Sequence, residues 1–156
     1  MATIVQSKSG EISSTIPITF DSAVTAGNTI LVLCLYRFDL NPIPTDGVNT
    51  YSSNLGHFYH GNGSVKCSYA TNIVGGTTSI LFDQDIGATT AVLLEVAGLA
   101  TSNIVDASVE NSVLDTSNPY APGLSITTTN ANTFLVVLAS DFDNDARNCT
   151  GGTGIS

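Results

Sequence analysis

"SVKCSYATNIV", residues Ser64 to Val74, decides the fold class. Val65, Cys67, Tyr69, Thr71 and Ile73 alternate with Lys66, Ser68, Ala70 and Asn72. A period of two puts the first set on one face of a strand and the second, more polar set on the other, which predicts a half-buried β-strand. Working outward, "STIPITF" (14–20) places Ile16, Ile18 and Phe20 on one face with Pro17 outward. A proline inside such a run predicts an edge strand, because it cannot donate to a ladder. "TILVLCLY" (29–36), "TAVLLEVAGL" (90–99) and "TFLVVLAS" (133–140) are almost continuously apolar and predict central strands covered on both faces, or strands at the heart of two packed sheets. The second of these could be mistaken for a helix. Its β-branched start and Gly98 argue for a strand.

Turn signals punctuate these runs: "TAGN" (25–28), "TDGVN" (45–49), "HGNG" (60–63), "VGG" (74–76), "DQDIG" (83–87) and "SNPYAPG" (117–123). Gly27 with Asn28, and Gly75 with Gly76, suit tight strand connections that need positive φ. Asp46 before Gly47 suits a turn in which the carboxylate accepts from its own backbone. The pattern predicts about ten short strands and little or no helix. The fold class expected is all-β, a two-sheet antiparallel β-sandwich of jelly-roll-like form. A chain of 156 residues is sized for one domain, 1–156, with 141–156 an acidic, Gly-rich C-terminal tail or assembly segment.

Composition limits the partners. Only 11% of residues are charged, and thirteen acidic side chains face four basic ones, for a net charge of −9. Four scattered cations cannot form a phosphate-binding stripe, so neither nucleic acid nor an anionic membrane surface is expected. No run approaches the ~18 apolar residues of a membrane span. Lys8 and Glu11 interrupt what would be the apolar stretch of a secretory signal, so synthesis in a cytoplasm without a signal peptide is the expectation. The cysteines number three, Cys34, Cys67 and Cys149. An odd count leaves no fully paired framework. Cys34 and Cys67 read as buried free thiols; Cys149 sits in a polar loop, positioned to cross-link subunits.

Several segments together resemble a β-sandwich module, jelly-roll or Ig-like, that recurs in phage virion proteins and bacterial surface proteins. The segments are "VTAGNTILVLCLY" (24–36), "TDGVNTY" (45–51), "YATNIVGGTTSILF" (69–82), "EVAGLATSNIVDAS" (95–108) and "LSITTTNANTFLVVLAS" (124–140). The likeness covers Val24 to Ser140 and rests on turn motifs, so it implies a fold and brings no catalytic or ligand set. It also implies one or two further strands after "TFLVVLAS", where this chain has only a short tail.

Candidate chemistry is sparse. Asp141, Asp143 and Asp145 alternate as the oxygen ligands of a calcium loop would, but Ala146 replaces the glycine such a loop needs and no glutamate closes it. Ca²⁺ is therefore a weak candidate, and no other cofactor is expected. Asp83 with Asp85 is a lesser pair of the same kind. His57 and His60, three apart on an extended chain, would face opposite sides and could not ligate together without a turn; they are expected to decorate a loop. Tyr51, Phe58, Tyr59 and Tyr120 could stack on sugars or cap the sandwich. No nucleophile elbow or phosphate loop occurs, and the chain is not expected to be an enzyme. The leading expectation is a structural assembly protein, a virion subunit of the capsid-decoration or tail-associated kind. Its partners would be copies of itself and other structural proteins, met through Asn148, Cys149, Thr150, Gly151 and Gly152. The alternatives are a carbohydrate- or receptor-binding module on a virion or cell surface, and an extracellular filament subunit.

Overall fold

A computed structural model describes residues 1–37, 40–52, 57–60 (backbone only), 63–76, 79–86, 89–109, 125–130 and 133–138. Among these the protein is all-β, without helix. Eight strands are described rather than about ten: β1 (Thr3–Gly10), β2 (Ile18–Thr19), β3 (Thr29–Arg37), β4 (Pro44–Thr45), β5 (His57–His60), β6 (Gly63–Ala70), β7 (Ser79–Phe82) and β8 (Thr90–Ala97). They form two antiparallel sheets, a main sheet ordered β1-β8-β3-β6-β5 and a smaller one ordered β2-β7-β4. The first strand thus pairs with the eighth, the second with the seventh and the third with the sixth.

The apolar runs at 29–36 and 90–99 do become inner strands. β3 lies between β6 and β8, and β8 between β1 and β3. One face of β3 carries Ile30, Val32, Cys34 and Tyr36. These gather with Leu93 of β8, Ile18 of β2, and Ile80 and Phe82 of β7 into one buried cluster, so residues of both sheets share a core. The opposite face carries Leu31 and Leu33, which join Cys67 and Val96 in a second, smaller cluster. Continuous hydrophobicity is what a strand covered on both faces requires.

Three expectations are corrected. The run at 133–140 is not a central strand in its described part. Phe134, Val136 and Leu138 pack against the second cluster while Leu135 and Val137 are exposed, and Thr133–Leu138 joins no ladder. The places beside β3 are already filled by β6 and β8, so this apolar segment covers the sheet's face. In "STIPITF", Ile18 and Phe20 are buried but Ile16 is exposed, and only Ile18–Thr19 pairs. The third correction concerns the opening stretch. β6 alternates as expected, but its polar set is the more deeply buried: Ser64, Lys66 and Ser68 are each 1% exposed, whereas Val65 and Tyr69 are half-buried. Register explains the inversion. Ser64, Lys66, Ser68 and Ala70 lie opposite Tyr36, Cys34, Val32 and Ile30, on the face that looks into the shared core. The strand also ends at Ala70, and Ile73 reaches that core from the following turn.

Candidate functional site

The described carboxylates mostly serve as clasps for turns and loops. Asp46 follows the expectation for "TDGVNTY". Its Oδ1 accepts from the backbone N–H groups of Val48 (2.9 Å) and Asn49 (2.7 Å), and its Oδ2 accepts from Asn49 Nδ2 and from the Tyr51 hydroxyl at 3.0 Å. Gly47 sits at φ +75°, the left-handed region in which a side chain is strained. Partial burial works to raise the Asp46 pKa, but the bonds from Asn49, Val48 and Tyr51 outweigh it and hold the carboxyl below its ordinary value. Tyr51 is half-buried and packs against the main core. Burial, and the Asp46 charge beside it, push its hydroxyl pKa up. Asp85 accepts from the Ser14 N–H at 2.7 Å and from the Ser13 and Ser14 hydroxyls, both at 2.8 Å. Asp83 accepts from the Ile43 N–H at 2.8 Å. This pair therefore fastens two different loops to the smaller sheet.

Glu95 is the most deeply placed acid among the described residues, at 0% exposure within β8. Its Oε1 accepts from the Thr25 N–H (2.8 Å) and Asn28 Nδ2 (2.6 Å), and its Oε2 accepts from Gln6 Nε2 (2.6 Å). Burial alone would raise its pKa; the bonds from Gln6, Thr25 and Asn28 lower it overall. The "TAGN" turn thus needs Asn28 as a donor and Gly27, at φ +85°, as the left-handed residue. Gly76 has the same conformation at φ +94°, whereas Gly75 is needed for closeness: a Cβ there would stand 2.8 Å from the Ala26 nitrogen.

Lys66 is the one buried cation among the described residues. Its Nζ donates to the Pro42 carbonyl at 2.7 Å, tying β6 to the chain just before β4. Among the described residues the sole ion pair is Lys8–Asp21, and no described carboxylate stands at contact distance from Lys66. Burial lowers its pKa. Burial likewise pushes the thiols of Cys34 and Cys67 up to about 12, and both are free, as the sequence suggested. A protonated, enclosed thiol is a packing group rather than a nucleophile.

The other sequence candidates are placed as follows. His57, Phe58, Tyr59 and His60 form β5, paired with β6 from His57↔Lys66 to His60↔Gly63, so the histidines belong to a strand and not to a loop. Tyr120, the aspartates Asp141, Asp143 and Asp145, and the assembly candidates Asn148, Cys149, Thr150, Gly151 and Gly152 lie outside the described residues. Among the described residues, no three His, Cys, Asp or Glu side chains converge on a metal-sized site, and no helix is long and apolar enough to cross a membrane.

Sequence reasoning passed over β1. This strand forms one edge of the main sheet and pairs with β8 from Thr3↔Ala97 to Gly10↔Ala91, with a bulge between Ile4 and Gln6. Its only signal was a short Ile-Val start before small polar residues. Gln6 laces it to Ser22, accepting from the Ser22 N–H at 3.3 Å and donating to the Ser22 carbonyl at 3.1 Å. Lys8 adds its ion pair with Asp21 at 2.6 Å. Beside these bridges runs a shallow open groove lined by Ser7, Lys8, Ser9, Asp21 and Val92. Compared with known protein families, characterised proteins and solved structures, the chain matches none.

Proposed function

We propose that this chain is a structural assembly subunit, a jelly-roll-like β-sandwich of the kind used as a capsid-decoration or tail-associated protein of a virion. The fold part of the reading is supported by strand order. An eight-stranded hairpin rolled on itself pairs first with eighth, second with seventh and third with sixth, as here, and fourth with fifth, where this chain departs by pairing β5 with β6 in the main sheet. That architecture serves capsid and lectin domains alike, so it does not choose a function by itself.

The observation that carries the assembly reading is the contrast among sheet edges. β2 and β4, the edges of the smaller sheet, are two residues long, with Pro17 before β2 and Pro44 within β4. Short, proline-marked edges resist the addition of another strand. β1 is eight residues long, contains no proline, and shows no backbone partner on its outward side among the described residues. A long open edge is a template for a strand from another chain. The glycan reading gains less, since the Tyr51 ring and hydroxyl are both engaged within the fold. Fractionation of native source material under particle-preserving conditions tests the proposal. The chain should co-migrate with a large particle; recovery only as a free small protein would refute it.

A further inference from the structure

We infer that the strand received by the β1 edge is β1 of a second copy, paired antiparallel across a two-fold axis so that the two main sheets become one continuous sheet. This rests on the assembly reading above and names its first contact.

Charge points to the occupant. The whole chain carries −9, yet residues 1–10 hold Lys8 and no carboxylate. Two copies meeting through most other surfaces would oppose acid to acid. Meeting through β1, they bring together a strip close to neutral, and like charges directly opposite across a ladder are what such a contact must avoid. Pairing centred near Gln6 meets that condition: it sets Ile4 beside the partner's Lys8 and keeps the two lysines apart. Lys8 is also already neutralised by Asp21. Ile4 and Val5, 53% and 50% exposed, give the contact its apolar area. The bulge between Ile4 and Gln6, at Val5, falls opposite the partner's Ser7 in this pairing, inside the new ladder, where it adds local twist. Antiparallel self-pairing is isologous and closes at two copies, leaving the remaining surface for further partners.

Salt separates this occupant from a basic one. Two copies at −9 repel at long range, and screening removes that repulsion, so self-association should strengthen as ionic strength rises. A cationic partner would be released instead.

The test is sedimentation velocity of the full chain across protein concentration at low and at moderate salt. Three proteins are compared: wild type, the edge variant Ile4→Glu/Val5→Glu, and the face variant Leu135→Glu/Val137→Glu. All four positions are exposed, so folding should be retained, with circular dichroism as the check. The expected result is a salt-strengthened dimer, weakened at least about tenfold by the edge variant and much less by the face variant. Equal weakening by both variants would mean bulk charge rather than β1, and would overturn the inference. Dimerisation undiminished in the edge variant would place the contact elsewhere and overturn it while leaving the assembly reading standing. A wild type that stays monomeric in every condition would overturn it too, with particle fractionation still deciding the assembly reading.

Discussion

The two faces of the main sheet are built differently. The face shared with the smaller sheet gathers fifteen of the described residues as buried ones, from Ile12 to Leu93, around side chains of zero exposure such as Ile30, Val32, Ile80 and Leu93. Among the described residues the opposite face has four buried ones, with Phe134, Val136 and Leu138 packed half-exposed against them. Both faces look equally apolar in β3, yet enclosure, and not hydrophobicity, sets how much each contributes. Stability should therefore reside mainly in the shared core, with the other face acting as a lighter cover.

Substitution across the two faces should expose the difference. Leu93→Ala opens a cavity in the shared core and should cost about 3–5 kcal/mol, whereas Val136→Ala on the covered face should cost about 1 kcal/mol. Urea unfolding of the two variants measures both; equal losses would break the contrast. Next in size, Glu95→Ala strands the donors of Gln6, Thr25 and Asn28 at the rim of the shared core and should cost about 2–3 kcal/mol. Smaller still is Lys66→Met. It exchanges a buried ammonium, held by the Pro42 carbonyl and by no described carboxylate, for an apolar chain of similar length, and thermal melting should show a change within about 1 kcal/mol or a gain. Least of all, Val137→Ser, at a 68% exposed position, should stay within about 0.5 kcal/mol.

Titration offers a fifth probe. Glu95 and Asp46 have folded pKa values below their ordinary 4.5 and 3.8. Above those values the unfolded and folded carboxyls are both ionised, and their bonds contribute fully. As pH falls below 4.5 the unfolded state binds protons first, so stability declines and is lost through the lower folded values. Melting curves from pH 6 to about pH 3 should show this fall, with a shallower slope in Glu95→Gln; an unchanged slope would remove Glu95 from the account.

Much of this was legible in sequence because it depends on local chemistry. Turn geometry at Asp46–Gly47 and Gly27 follows from residue type, and the unbroken apolar runs at 29–36 and 90–99 match strands flanked on both sides. What stayed hidden depends on neighbours. The alternation of β6 reveals two faces but not which one meets the core, and a lysine conventionally marks the solvent side. Only the register with β3 turns Lys66 inward, where the Pro42 carbonyl receives it. The run at 133–138 has the composition of a central strand, but the sheet positions were taken. β1 was overlooked for the converse reason: an edge strand with one half-exposed side needs no strong hydrophobic pattern.

The proposal that copies of this chain join through the β1 edge is tested most directly by amide hydrogen exchange. Exchange across Thr3–Gly10 would be compared between the dilute chain and the native assembled material. Marked slowing confined to β1 and its immediate neighbours is the expected result upon assembly. Identical exchange of the β1 amides in both states, with protection appearing elsewhere, would contradict it.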